Sequence, residues 1–163
     1  MLKIRKTKEK DTCAVLNIYD SARRFMRSYG NLTQWSDEYP GIESLQEDMK
    51  RGISYVGEDN KGEIVLTFVL LFGEEPTYLK IYDGEWLNHH PYATIHRLAT
   101  NGRYPRMAKA AIDFGFKLIN NIRIETHPDN LPMQRAIERE GFSKCGIIIC
   151  RDGTPRIAYQ KTL

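Results

Sequence analysis

The chain has 163 residues, 41% hydrophobic and 28% charged, a balance that suits one soluble globular domain and excludes disordered, collagen-like and membrane-spanning classes. Lys and Arg (24) outnumber Asp and Glu (21) by a net +3 spread along the chain, a weak pull toward anionic ligands without the dense basic stripe of a nucleic-acid binder. Cys13, Cys145 and Cys150 are odd in number and lack CxxC spacing, which argues against a disulfide framework or a zinc site. Reduced thiols and an N-terminus without an apolar signal core predict a cytoplasmic protein.

In chain order, Leu2 to Arg5 alternates as a strand and leads into a helix with Asp11 near its start, where Val15, Ile18, Tyr19, Ala22 and Phe25 recur at helical spacing. Gly30, Pro40 and Gly41 punctuate a loop carrying Trp35 and Tyr39, and a short helix from about Glu43 to Lys50 follows. Asp59-Asn60-Lys61-Gly62 separates two strands, Ser54 to Gly57 and Ile64 to Phe72. The second is apolar on both faces, which predicts a central place in a sheet, and it is too short to span a membrane. Gly73 to Pro91 is irregular and rich in rings, with Tyr78, Tyr82, Trp86, His89 and His90, and Tyr92 just beyond.

Ala93 to Thr100 reads as another strand. Pro105 opens a helix predicted over Arg106 to Asn120, whose apolar positions, Leu118 and Ile119 among them, cover a wide arc. Ile122 to Thr126 alternates as a strand, and Asp129 or Asn130 caps a helix running through Met133, Ala136 and Ile137 to Gly141. Phe142 to Cys150 and Arg156 to Lys161 close the chain as two strands around Asp152-Gly153. The order βααβββαβαββ describes an α/β fold of about seven strands and four helices in a single domain, residues 1–163.

Chemistry concentrates where Thr94 to Thr100 passes through a basic loop into the helix after Pro105. Free backbone N–H groups and the positive end of the helix dipole converge there and suit a diphosphate. Arg103, Arg106 and Lys109 stand around the same point. Either they decorate a solvated first turn, or an anion sits among them and offsets their repulsion by the dipole.

These segments resemble the GNAT-type N-acetyltransferases over nearly the whole chain. Leu98-Ala99-Thr100 is similar to the family's Leu-Ala-Val strand end, and Arg103 to Ala108 resembles its Gln/Arg-x-x-Gly-x-Gly/Ala pyrophosphate loop. Asn130-x-x-Met133-x-x-Ala136-Ile137-x-x-x-Gly141-Phe142 resembles its Asn-x-x-Ala-x-x-Leu-Tyr-x-x-x-Gly-Phe signature. The resemblance implies a GNAT-like acyl-CoA N-acyltransferase fold with a mixed, splayed sheet, acetyl-CoA as cosubstrate and no metal. It further implies an amine acceptor, small molecule or peptide, attacking the thioester directly. Leu98, Ala99, Thr100, Arg103, Arg106, Met107, Ala108, Lys109, Asn130 and Met133 are the expected acetyl-CoA contacts. Leu98 is expected to offer its amide to the developing oxyanion.

An attacking alkylammonium must lose a proton, since its pKa is about 10.4. His96, placed as in some family members, is the expected general base. Strand alternation puts Thr94, His96 and Leu98 on one face. The bland alternative is a packed, hydrogen-bonded histidine. Two positions depart from the family: Arg106 replaces the loop's central glycine, and Ile137 replaces the tyrosine that protonates the departing thiolate. Their combination favours a rival reading, a non-catalytic acyl-CoA sensor on the same fold. His127 before Pro128 is expected to bond the turn, and Cys145 and Cys150 to pack inertly. Tyr29, Trp35, Tyr39 and the rings from Tyr78 to Tyr92 either wall the acceptor end or cover a thin part of the core. No nucleic-acid or membrane partner is expected, and an exposed edge strand near the C-terminus offers a route to a homodimer.

Overall fold

The computed structural model describes residues 2–163. The strands are β1 (Lys3–Lys6), β2 (Ser54–Glu58), β3 (Ile64–Phe72), β4 (Ala93–Thr100), β5 (Asn121–Thr126), β6 (Ser143–Ile149) and β7 (Pro155–Thr162). The helices are α1 (Thr12–Ser28), α2 (Ile42–Lys50), α3 (Met107–Phe116) and α4 (Leu131–Arg139). The order of strands and helices matches the expected one. The sheet runs β1-β2-β3-β4-β5-β7-β6, so β3 lies in its interior, as its doubly apolar sequence requires. It is mixed: β4 and β5 are parallel, whereas β1 with β2, β2 with β3, and β7 with both β5 and β6 are antiparallel.

The chain forms two compact units. The first comprises residues up to Leu70 together with Arg97–Met107. Its core joins Val15, Ile18, Tyr19 and Met26 of α1 to Leu45 of α2, Trp35, Val56 and Ala99. The 3.6-residue spacing of these α1 side chains gathers them on one buried face. Trp35 meets Tyr19 edge-on, with ring centroids 5.7 Å apart. Asp11 precedes α1, accepts a hydrogen bond from the Lys8 amide at 2.8 Å and pairs with Arg5 at 2.7 Å.

The second unit comprises Leu71–His96 and Ala108–Leu163, with Tyr78, Trp86, Tyr92, Cys145, Ile148 and Ala158 in its core. A polar network holds its long irregular segment in place. Asn121 Nδ2 donates to Asn88 Oδ1 at 2.9 Å, Gln160 Nε2 donates to Asn121 Oδ1 at 2.7 Å, and the Leu87 amide donates to Gln160 Oε1 at 2.8 Å. The Arg123 guanidinium lies between two rings, 4.0 Å from the Trp86 centroid and 3.9 Å from that of Tyr92. Gly84 and Gly146 allow this segment to approach β6. A Cβ on Gly84 would meet the Cys145 carbonyl oxygen at 1.9 Å, and one on Gly146 would meet that of Tyr82 at 2.5 Å.

Two local expectations are corrected. The helix predicted to reach Asn120 ends at Phe116. There the ladder tightens, with Lys117 N shared between the Asp113 and Phe114 carbonyls and Leu118 N bonded to Gly115 O at 2.9 Å. Leu118 is consequently 53% exposed, off the buried arc. In β4, Arg97 takes a left-handed backbone with φ of 48°. That residue interrupts the period of two, so Leu98 does not follow Thr94 and His96 on one face by counting.

Candidate functional site

His96 is the centre of a polar cluster built wholly within the second unit. Its Nε2 lies 3.3 Å from Glu75 Oε2 and its Nδ1 3.3 Å from Glu125 Oε2. Tyr78 Oη donates to the same Glu125 oxygen at 2.5 Å, and the Glu75 amide donates to Tyr92 Oη at 3.0 Å. Glu75 Oε1 in turn accepts from the Thr77 amide and hydroxyl at 3.2 and 3.0 Å, which fixes the carboxylate. The parallel register that pairs Ile95 with Ile124 brings His96 of β4 alongside Glu125 of β5. The His96 side chain retains 17% exposure, so the cluster is nearly enclosed and still reachable.

Burial opposes a charge on His96, but the two carboxylates outweigh it and raise the imidazole to about 9. The hydrogen bond from His96 is the main reason Glu75 is lowered to about 2. Burial likewise works against ionisation of Glu125, and the His96 charge together with the His96 and Tyr78 hydrogen bonds overcomes it and keeps the carboxyl below its ordinary value. The Tyr78 hydroxyl is pushed well up, first by burial and then by Glu125. At neutral pH the cluster is an imidazolium between two carboxylates. It can release or take up one proton at either ring nitrogen, and the carboxylates stabilise the protonated form.

Glu125 and Glu75 were not singled out by the sequence. A carboxylate on the internal strand Ile122-Arg123-Ile124-Glu125 is a usable signal, because a buried charge needs a partner. Glu75 lies 21 residues from His96 in an irregular segment and has no such signal.

The other expected site residues divide between the units. Leu98, Ala99, Thr100, Arg103, Arg106 and Met107 belong to the first, and Ala108, Lys109, Asn130 and Met133 to the second. In the first unit, Thr100 Oγ1 accepts from the Gly102 amide at 3.1 Å and Asn101 Oδ1 from the Arg103 amide at 3.0 Å. Arg103 pairs with Glu63 and lies 3.8 Å from Asp59, which also accepts from Tyr104 Oη at 3.0 Å. Arg106 adopts φ of 61°, a left-handed conformation that glycine takes without strain and other residues disfavour. In the second unit Lys109 pairs with Asp113 at 2.7 Å. Asn130 Oδ1 caps α4 by accepting from the Met133 amide at 3.2 Å. His127 Nδ1 accepts from the Asp129 amide at 3.1 Å, a turn-bonding role. Ile137 is fully buried.

The rings have separate fates. Trp35, Tyr78, Trp86 and Tyr92 are core residues, in line with the core-covering alternative, while Tyr29, Tyr39 and Tyr82 are exposed. Among the described residues no helix is long and apolar enough to cross a membrane, and no cluster of His, Cys, Asp and Glu is suited to a metal ion.

A solved acetyltransferase of the GNAT family from Streptococcus agalactiae 2603 superposes with a TM-score of 0.90 and 27% identity, covering 99% of this chain and 95% of the other. The fold is that of the GNAT acetyltransferases. A second GNAT-family acetyltransferase, from Listeria monocytogenes 4b F2365, has a TM-score of 0.72 and 19% identity over 99% of this chain and 95% of its own. Aminoglycoside acetyltransferase AAC(6')-Ib, solved in complex with coenzyme A and kanamycin, shares the fold at a TM-score of 0.64 and 20% identity, again over 99% and 95%. No protein-family model and no curated protein matches the sequence. The GNAT neighbours support acetyl transfer in general.

Proposed function

We propose that this protein is an acetyl-CoA-dependent N-acetyltransferase that moves an acetyl group to an amine by direct attack on the thioester. The observation that carries the proposal is His96 held between Glu75 and Glu125 in a protein of the GNAT fold. An alkylammonium has a pKa of about 10.4 and must lose its proton before it attacks. A base near 9 is well matched to it: neutral His96 takes the proton at a ring nitrogen, and the carboxylates stabilise the imidazolium that forms. At neutral pH most His96 is already protonated, so turnover rises with pH toward about 9.

Acetyl-CoA supplies the activated acyl group and a thiolate leaving group when bound. Several features fit such a ligand. The first turn of α3 carries no acidic side chain, and Arg106 has a left-handed backbone of the kind glycine adopts freely. Arg103 and Arg106 of the loop before α3 and Met107 at its start are proposed diphosphate residues, with Ala108 and Lys109 following Met107 in the first turn. Asn130 and Met133 are proposed for the pantetheine arm, and Leu98, Ala99 and Thr100 for the acyl end. Leu98 is proposed to donate its amide to the oxygen that becomes negative as the amine attacks.

Thiol release from acetyl-CoA across a panel of primary amines, measured from pH 6 to 10, tests the reading. Turnover that climbs toward pH 9 and is lost in His96→Gln supports it. Saturable binding of acetyl-CoA without thiol release for any amine would establish the sensor reading instead, which the buried, hydroxyl-free Ile137 favours.

A further inference from the structure

Arg97 is an arginine in the interior of a strand with a left-handed backbone, a conformation that side-chain-bearing residues disfavour. Its side chain accounts for the exception. Arg97 Nε donates to Asp48 Oδ2 at 2.9 Å and Nη2 donates to Asp48 Oδ1 at 2.6 Å, a bidentate fork to a carboxylate on α2 that is 3% exposed. Nη1 donates to Tyr39 Oη at 2.9 Å. All of these residues belong to the first unit. A buried ion pair of this kind is a poor source of net stability, because desolvation offsets most of its attraction. It does fix the direction of a planar guanidinium, and with it the backbone that carries it.

We infer that Asp48 and Arg97 are positioning residues: their ion pair holds the left-handed backbone at position 97 and thereby sets the direction of the adjoining Leu98 amide. The inference rests on the proposed acetyl transfer, in which that amide faces the developing oxyanion. Neither side chain touches a reacting atom. Their effect is on the rate of the chemical step and not on the affinity for acetyl-CoA.

The test separates the ion pair from the backbone it holds. D48N/R97G and D48N/R97V both lack the pair, so a difference between them comes from the backbone at position 97. Glycine accepts the left-handed conformation and β-branched valine opposes it. The expected kcat of D48N/R97V lies about tenfold or more below that of D48N/R97G, with KM for acetyl-CoA in the two variants agreeing within about twofold. Equal kcat values, or a loss confined to KM, overturn the inference. Thiol release by the wild-type protein decides the underlying function separately. If the wild type releases none, the amide itself still decides: in 15N spectra D48N/R97G keeps the wild-type Leu98 position and D48N/R97V loses it. The same Leu98 position in both variants overturns the inference.

Discussion

Replacing Glu125 with Gln keeps the shape of the His96 cluster and removes one of its two negative charges. The rise of His96 from 6.5 to about 9 corresponds to ~3 kcal/mol of native-state stabilisation, at about 1.4 kcal/mol per pKa unit. A group whose folded pKa lies above its unfolded one contributes fully below the unfolded value, so this stabilisation is complete below pH 6.5 and is lost as pH rises through about 9. Glu75 is shifted the other way, to about 2, and its contribution is complete above pH 4.5 and lost as pH falls through about 2. The two shifts describe one shared contact and are not added. Stability from this cluster therefore peaks between pH 4.5 and 6.5. With Glu75 left as the only carboxylate on the imidazole and burial still opposing the charge, E125Q forfeits more than half of the stabilisation, ~2 kcal/mol, which for a domain of this size is roughly 4–8 °C in Tm at pH 6.5. The gap narrows as pH rises and closes by about pH 10, where His96 is neutral in both proteins. Thermal unfolding followed by circular dichroism from pH 6 to 10 measures it, and an NMR titration of the His96 ring reads the pKa directly, lower in E125Q than in the wild type. A gap that stays constant across this range, or a wild-type His96 that titrates near 6.5, would refute the reasoning.

Three further outcomes follow from the geometry. Arg106→Gly relieves a left-handed arginine at a cost in unfolded-chain entropy, and the net gain is up to ~1 kcal/mol, or at most roughly 2–4 °C in Tm by calorimetry. Ile137→Tyr places the family's hydroxyl in a fully buried position and overpacks α4, lowering stability by ~1–3 kcal/mol in urea unfolding whatever it does to turnover. Gly84→Ala drives a Cβ against the Cys145 carbonyl and breaks the bridge between Tyr82 and Ile147; loss of the cooperative unfolding transition, or a Tm lower by roughly 10 °C, is the expected result.

Elements with local signals were legible in the sequence. Ile64–Phe72 announces an interior strand because both its faces are apolar, and α4 declares both ends through Asn130 at its start and Gly141 beyond its last turn. The helix after Pro105 ends earlier than its apolar spacing predicts, because Leu118 and Ile119 continue a period that the backbone abandons after Phe116. Apolar spacing reports which face would be buried if the helix went on, and not where the chain must turn. The ring-rich segment was ambiguous for a related reason: composition does not distinguish a ring that covers the core from one that faces solvent. Trp86 and Tyr92 are settled by the Arg123 guanidinium between them, a contact that joins residues more than 30 positions apart only after the strands have paired.

For the candidate site, the sequence alone marks His96 as the candidate base. His96 is a titratable side chain on a strand that ends in a GNAT-like motif, and that is a property of nearest neighbours in the chain. Tertiary structure alone decided its chemistry. Glu75 and Glu125 reach His96 from an irregular segment and from a neighbouring strand, and a pKa is set by charges within a few ångströms regardless of their separation in sequence. The same holds for Arg97, whose left-handed backbone breaks the alternation predicted for β4 and is tied to a carboxylate 49 residues earlier in the chain. Periodicity is local and survives in the sequence, whereas a buried charge and its partner meet only once the chain has folded.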